Sequence, residues 1–259
     1  MTTLTTLLFD VDGTLAETEE IHRAAFNRAF TQAGLDWNWS QALYSDLLRV
    51  TGGKERIRHF LDTQLPDFRS PTKLDDYIAA LHAAKTDIFT RTVAAGEVPL
   101  RPGVARLLRE SRAEGLRLAI ATTTTRANVT ALLKHSLADD AEDWFEVIAA
   151  GGVVAEKKPA PDIYIYAMEA MGVDPGECLA FEDTDNGLRA AQAAGLQTVV
   201  TVSQYSQGQD FDGAALVIDQ FGEPDQPCRF IAGTRVAGDC VGVKQLRELH
   251  ARIDVSAAV

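Results

Sequence analysis

The chain has 259 residues, 46% hydrophobic and 24% charged, enough for one sizeable core or a core with a modest second domain. Its formal charge of −12 excludes non-specific binding to nucleic acid or anionic membranes, although a local basic pocket can sit on an acidic protein. Three cysteines, Cys178, Cys228 and Cys240, are too few and too irregularly spaced for a zinc site or a disulfide framework.

Leu4 to Phe9 reads as a short buried strand that stops at Asp10-Val11-Asp12-Gly13-Thr14. No basic region or signal core precedes it, and no run reaches the roughly 18 apolar residues of a membrane span, so a cytoplasmic protein is expected. Between about Thr18 and Thr90 the rhythm becomes helical. Ile21, Ala25, Phe26, Ala29 and Phe30 share one helix face, and Gly34 is a natural stop. Three more helices are expected around Tyr44 and Leu47, around Ile57 and Phe60, and from Tyr77 to Phe89.

After Pro102-Gly103, strand and helix alternate. Helices are predicted from Val104 to near Gly115, Ala127 to His135, Pro161 to Met171 and Asn186 to Ala194. Strands are predicted at Leu116 to Ala121, Phe145 to Ala149, Glu177 to Phe181 and Gln197 to Val202, with Leu216 to Ile218 as one more. Alternation of this kind implies an α/β fold with a parallel sheet, because parallel neighbours need crossover connections. The helical block is then an insertion over residues 17–96 into a core of 1–16 and 97–219. The tail, 220–259, begins loop-like and has a helical stretch from Val241 to His250; its last residues are expected to be disordered, and it is assigned no role.

Four polar punctuations follow the predicted strands. They are Asp10 with Asp12, Thr122, Lys158, and Glu182 with Asp183. The carboxyl ends of parallel strands share one edge of the sheet, so these distant residues should converge there. Each suits phosphoryl transfer. Asp10 is placed as a nucleophile on phosphorus, and Asp12 as the acid and base for the leaving oxygen and the water. Thr122 and Lys158 would hold the transferring oxygens. Asp10, Asp12, Glu182 and Asp183 offer the hard oxygen donors that suit Mg²⁺. A calcium loop starting at Asp10 is excluded, since its twelfth position would be Ile21 rather than a glutamate.

Asp10-Val11-Asp12-Gly13-Thr14, Thr122, Lys158-Pro159 and Glu182-Asp183-Thr184 with Gly187 resemble, in order and spacing, the four motifs of the haloacid dehalogenase superfamily. The helical block after the first motif is similar to the cap of its β-phosphoglucomutase-like branch. Glu17-Thr18-Glu19-Glu20, Thr51-Gly52-Gly53-Lys54-Glu55-Arg56, Thr122-Thr123-Thr124 and Ala155-Glu156-Lys157-Lys158-Pro159 resemble the CbbY family within it, over roughly residues 4 to 219.

The resemblance implies a Rossmann-like core with an inserted all-α cap, acting on a small phosphorylated sugar. It implies hydrolysis of xylulose 1,5-bisphosphate to xylulose 5-phosphate, which relieves inhibition of Rubisco. It also implies substrate contacts from Glu17, Glu20, His22, Gly53, Lys54, Arg56, Lys85 and Thr123, with Lys54 and Arg56 on the second phosphate. A monomer is expected. Lys157 is expected to be solvated, and Trp37, Trp39 and Trp144 to be packing residues. The rival readings are a phosphosugar mutase, which returns the phosphoryl group to sugar, a phosphatase for another phosphosugar, a dehalogenase needing neither Asp12 nor metal, and a non-catalytic phosphosugar sensor on the same fold.

Overall fold

A computed structural model describes residues 2–96 and 98–256. The expected resumption of the core at residue 97 falls outside the described residues, as do residues 257–259 of the end expected to be disordered.

The continuous apolar run at the start of the chain becomes β1 (Thr6–Phe9), buried on both faces, as a central parallel strand must be. Four helices follow: α1 (Glu19–Gln32), α2 (Gln41–Leu47), α3 (Gly53–Gln64) and α4 (Leu74–Ala94). The alternating part then runs α5 (Val104–Ala113), β2 (Arg117–Thr122), α6 (Arg126–Ser136), β3 (Val147–Ala150) and α7 (Asp162–Met171). It continues with β4 (Cys178–Glu182), α8 (Asp185–Ala193), β5 (Gln197–Thr201) and β6 (Leu216–Ile218). No helix among the described residues is long and apolar enough to cross a membrane.

The strands lie in the order β3-β2-β1-β4-β5-β6, all parallel. The chain reverses its direction of progress between β1 and β4, and such a reversal opens a crevice beyond the strand ends. Phe9 pairs with Phe181 across this seam, their rings stacked at 4.3 Å, and Asp10 N donates to Phe181 O at 3.0 Å. The residues after β1 and after β4 therefore leave the sheet side by side.

The helical block has an aromatic cluster of its own, built from Phe26, Phe30, Trp37, Trp39, Tyr44 and Phe60 with aliphatic neighbours. Trp144 instead packs against the core on the sheet, under the Arg112 guanidinium. The block is not isolated from the sheet: Ala25 and Ala29 of α1 and Ile88, Phe89 and Val93 of α4 belong to the sheet's main cluster. Its two covalent connections run antiparallel, with Ala16 bridged to Leu100 and Arg101 N donating to Leu15 O at 2.9 Å. Buried Arg101 also donates to the carbonyls of Gly13, Thr201, Val202 and Asp219, tying that junction to the ends of β5 and β6.

The packing does not stop at 219. β7 (Phe230–Gly233) adds an antiparallel edge strand beside β6, where the Gly- and Pro-rich composition predicts a loop. α9 (Val243–Ser256) sends Val243, Leu246 and Leu249 into the main core, near α5. Leu246 is fully buried, so Leu246→Ala is expected to lower the unfolding free energy in a urea titration by about 2–5 kcal/mol. A loss below about 1 kcal/mol would mean that the tail is peripheral to the fold.

Candidate active site

Beyond the ends of β1, β2 and β4 the structure brings the predicted catalytic residues to one cavity of about 320 Å³. Lys158, in the loop after β3, points its ammonium inward. Its Nζ lies 2.7 Å from Asp10 Oδ1, 2.6 Å from Glu182 Oε1 and 2.8 Å from the carbonyl of Ala121. All three charged groups are buried. Burial works against the charged ammonium, but Asp10 and Glu182 outweigh it and hold the Lys158 pKa above its ordinary value. Thr122, the last residue of β2, is buried beside them and accepts from Thr124 N at 3.3 Å.

Asp10, Glu182 and Asp183 can each offer one carboxylate oxygen, all within 4.8 Å of one another. Two glycines make this crowding possible. Gly13, at φ +81°, would drive a Cβ into the Asp183 carboxylate, and a Cβ on Gly187 would overlap that of Glu182. Three buried carboxylates face one ammonium, so the cluster is short of positive charge. Burial raises Asp10 to about 7 and pushes Asp183 well above the usual carboxylate range, with Asp10 adding to the latter. An all-oxygen, buried, electron-rich set of this kind fits a small hard divalent cation.

The Asp12 carboxylate lies outside that group of three and has partners of its own. Its Oδ1 accepts from Thr18 Oγ1 at 2.5 Å and lies 2.9 Å from His22 Nε2. Burial alone would raise its pKa, but His22, Thr18 and Lys85 outweigh burial and hold the carboxylate far below its ordinary value. Lys85 Nζ sits 2.6 Å from His22 Nδ1, and burial lowers its pKa to about 8. The first turn of α1 thus reaches Asp12, and α4 stands behind it.

Of the predicted cap contacts, His22, Gly53, Arg56 and Lys85 line the cavity, as does Thr123 from the sheet side. Glu17, Glu20 and Lys54 do not. Glu17 is exposed, accepting from Gln204 N at 3.3 Å with Arg101 Nε 3.5 Å away. Glu20 is engaged by Arg23 and by the Tyr205 hydroxyl. Lys54 is exposed on α3. Nor is Lys157 simply solvated: its Nζ pairs with Glu55 Oε1 at 2.6 Å, joining the loop after β3 to α3.

Glu19, His82 and Tyr205 are among the lining residues that the sequence motifs did not point to. Glu19 accepts from the Tyr44 hydroxyl at 2.7 Å, and that hydroxyl in turn accepts from Arg56 Nη1 at 3.0 Å. His82 precedes Lys85 by three positions on α4, a spacing that places both on one helix face. Burial and the surrounding Lys85, Lys54 and Lys157 lower its pKa to about 3, so its ring is neutral at neutral pH.

The profile of the haloacid dehalogenase-like hydrolases matches residues 4–195. The chain belongs to that family of hydrolases. Among similar proteins, a CbbY protein of Cupriavidus necator is 50% identical over 221 residues, covering 85% of this chain and 87% of its own. The CbbY protein of Rhodobacter capsulatus is 54% identical over 211 residues, with 82% of this chain and 91% of its own covered. Crystal structures of CbbY from Rhodobacter sphaeroides superpose with a TM-score of 0.80 at 48% identity, over 85% of this chain and 96% of theirs. One holds phosphate; another is of a variant in complex with xylulose 1,5-bisphosphate. With the Lys158–Asp10 pair at the sheet edge, membership makes this haloacid dehalogenase-like chain a phosphoric monoester hydrolase.

The crowded carboxylates have a measurable consequence. Asp10 and Asp183 hold protons in the folded chain that the unfolded chain releases at ordinary carboxylate pKa values, so their ionisation opposes folding as pH rises. In the presence of a chelator, Tm is expected to fall as the pH rises from about 5 through about 7. Mg²⁺ should restore it, and Asp183→Asn should flatten the dependence. A chelated protein whose Tm is flat across this window, or one that Mg²⁺ leaves unshifted at the upper end, would contradict the charge imbalance.

Proposed function

We propose that this chain is a Mg²⁺-dependent phosphatase that hydrolyses xylulose 1,5-bisphosphate to xylulose 5-phosphate through a phosphorylated Asp10. The observation that carries the proposal is the buried Lys158–Asp10 pair, at 2.7 Å, opening into a cavity that α1, α3 and α4 also line. The pentulose bisphosphate is supported by the likeness to the CbbY chains and by Arg56. That guanidinium is buried in the cavity wall and meets Leu47 O and the Tyr44 hydroxyl, with no carboxylate within 4.0 Å among the described residues. A buried, planar cation without an acidic partner suits a phosphate.

In the first step an Asp10 oxygen attacks phosphorus, and the bond from phosphorus to the sugar oxygen breaks. Lys158 and Thr122 hold the non-bridging oxygens as charge moves towards the leaving group. A Mg²⁺ ion held by Asp10, Glu182 and Asp183 would offset the repulsion between a carboxylate nucleophile and an anionic phosphate. Asp12 gives the leaving sugar oxygen its proton. In the second step Asp12 takes a proton from water, the water oxygen attacks phosphorus, and the bond to Asp10 breaks to release inorganic phosphate.

In the geometry described, with Thr18 and His22 on its Oδ1, Asp12 is ionised and ready for the second step. Acting as the acid in the first step requires it to leave those partners and carry a proton into the cavity. A cytoplasmic location, on the three free thiols, and relief of Rubisco inhibition complete the reading.

Purified protein with Mg²⁺ is expected to release phosphate from xylulose 1,5-bisphosphate in preference to ribulose 1,5-bisphosphate and β-glucose 1-phosphate. Asp10→Asn should lower kcat by about 10³-fold or more without lowering Tm at neutral pH. A rearranged phosphosugar formed without inorganic phosphate would identify a mutase instead. Preference for another phosphosugar would reject the substrate while keeping the reaction class.

The two cationic candidates on α3 separate cleanly. Arg56→Met is expected to raise KM for the bisphosphate by about tenfold or more, whereas Lys54→Met should change it less than about twofold. The reverse ranking would place the second phosphate elsewhere.

A further inference from the structure

The aromatic cluster of the helical block contains one residue from outside it. Tyr205, in the loop between β5 and β6, packs against that cluster, whose other members among the described residues all come from the segment 26–81. Its ring meets Tyr44 edge-on, with centroids 5.8 Å apart and planes at 90°. Its hydroxyl donates to Glu20 on the first turn of α1. Tyr205 also lines the cavity, while Tyr44 does not. Tyr205 therefore stands at the cavity wall with its ring against Tyr44, and Tyr44 carries the hydrogen bond from Arg56.

The loop that presents Tyr205 is braced rather than slack. Ser203 and Ser206, both buried, bond to each other through Ser203 N to Ser206 Oγ at 2.8 Å and between their hydroxyls at 3.0 Å. Gln204 N donates to Glu17, and Gln209 Oε1 accepts from Asp185 N at 2.8 Å at the start of α8. Tyr205 thus projects from a loop fixed at both sides. An aromatic ring with two torsions, locked by neighbours, is a rigid limit on what a cavity admits.

We propose that Tyr205 is a specificity-determining residue, an aromatic wall carried by the sheet side that limits the carbon skeleton of the sugar. It rests on the phosphatase reading above and adds a size filter to it. The ring does the work; the hydroxyl anchors it to Glu20. Truncation should enlarge the cavity at that wall and admit a longer sugar, whereas loss of the hydroxyl alone should leave the wall standing.

The test compares kcat/KM for xylulose 1,5-bisphosphate with that for fructose 1,6-bisphosphate, with p-nitrophenyl phosphate as a generic substrate. Tyr205→Ala is expected to lower the pentulose-to-hexose ratio about tenfold or more, and Tyr205→Phe to keep it within about threefold. Tyr205→Leu retains apolar contact with the helical cluster and should give an intermediate ratio, so it carries the test if the alanine variant does not fold. A ratio unmoved in the alanine or leucine variant, with both substrates losing equally, would show that Tyr205 only props the helices and would overturn the proposal. Wild-type protein that releases phosphate from none of the three substrates would remove the phosphatase reading itself.

Discussion

The whole site depends on one ammonium held among carboxylates. Lys158 Nζ contacts both Asp10 and Glu182, and a third carboxylate, Asp183, completes the crowd. Removing Lys158 would leave uncompensated negative charge in a buried place, which is among the costliest local changes a fold can bear. The seam between β1 and β4 supplies the proximity: Phe9 pairs with Phe181, and the next residue of each strand is already a carboxylate. Gly13 and Gly187 then permit the close approach, since neither has a Cβ to collide with Asp183 or Glu182. Backbone topology, glycine and charge are consequently one constraint.

The second constraint is the link between the helices and the sheet. α1 and α4 contribute both to the sheet's core and to the cavity wall, so the wall is referenced to the strand ends. Asp12 shows this most directly. It belongs to the first loop by sequence, yet its protonation is governed by His22 on α1 and, behind it, by Lys85 on α4. On the proposed mechanism, the acid–base residue answers to the position of the helices, while the nucleophile answers to the sheet. Lys157 with Glu55 and Tyr205 with Glu20 are further ties across the same divide.

Much of this was legible in the chain because strand ends are punctuated. A continuous apolar run that meets a carboxylate or a threonine names both the element and its functional edge, and Lys158, eight residues past the end of β3, comes back to the same edge. What resisted reading was phase and long-range contact. Lys54 and Arg56 are two residues apart on α3, about 200° around the helix axis, so one helix face cannot present both. Arg56 faces inward because it shares the side of the helix that buries Ile57 and Phe60. Glu17 and Glu20 bind the loop after β5, a segment far away in sequence. β7 is only four residues, Phe-Ile-Ala-Gly, mostly exposed, and exists because β6 offers an edge to pair with.

The most direct measurement is acid-quenched single turnover with the transferring phosphate of the substrate radiolabelled, followed by peptide mapping. The account predicts transient label on the peptide that carries Asp10, formed faster than inorganic phosphate and lost in Asp10→Asn. Phosphate released at full rate with no label on the protein, or label on a peptide without Asp10, would contradict it.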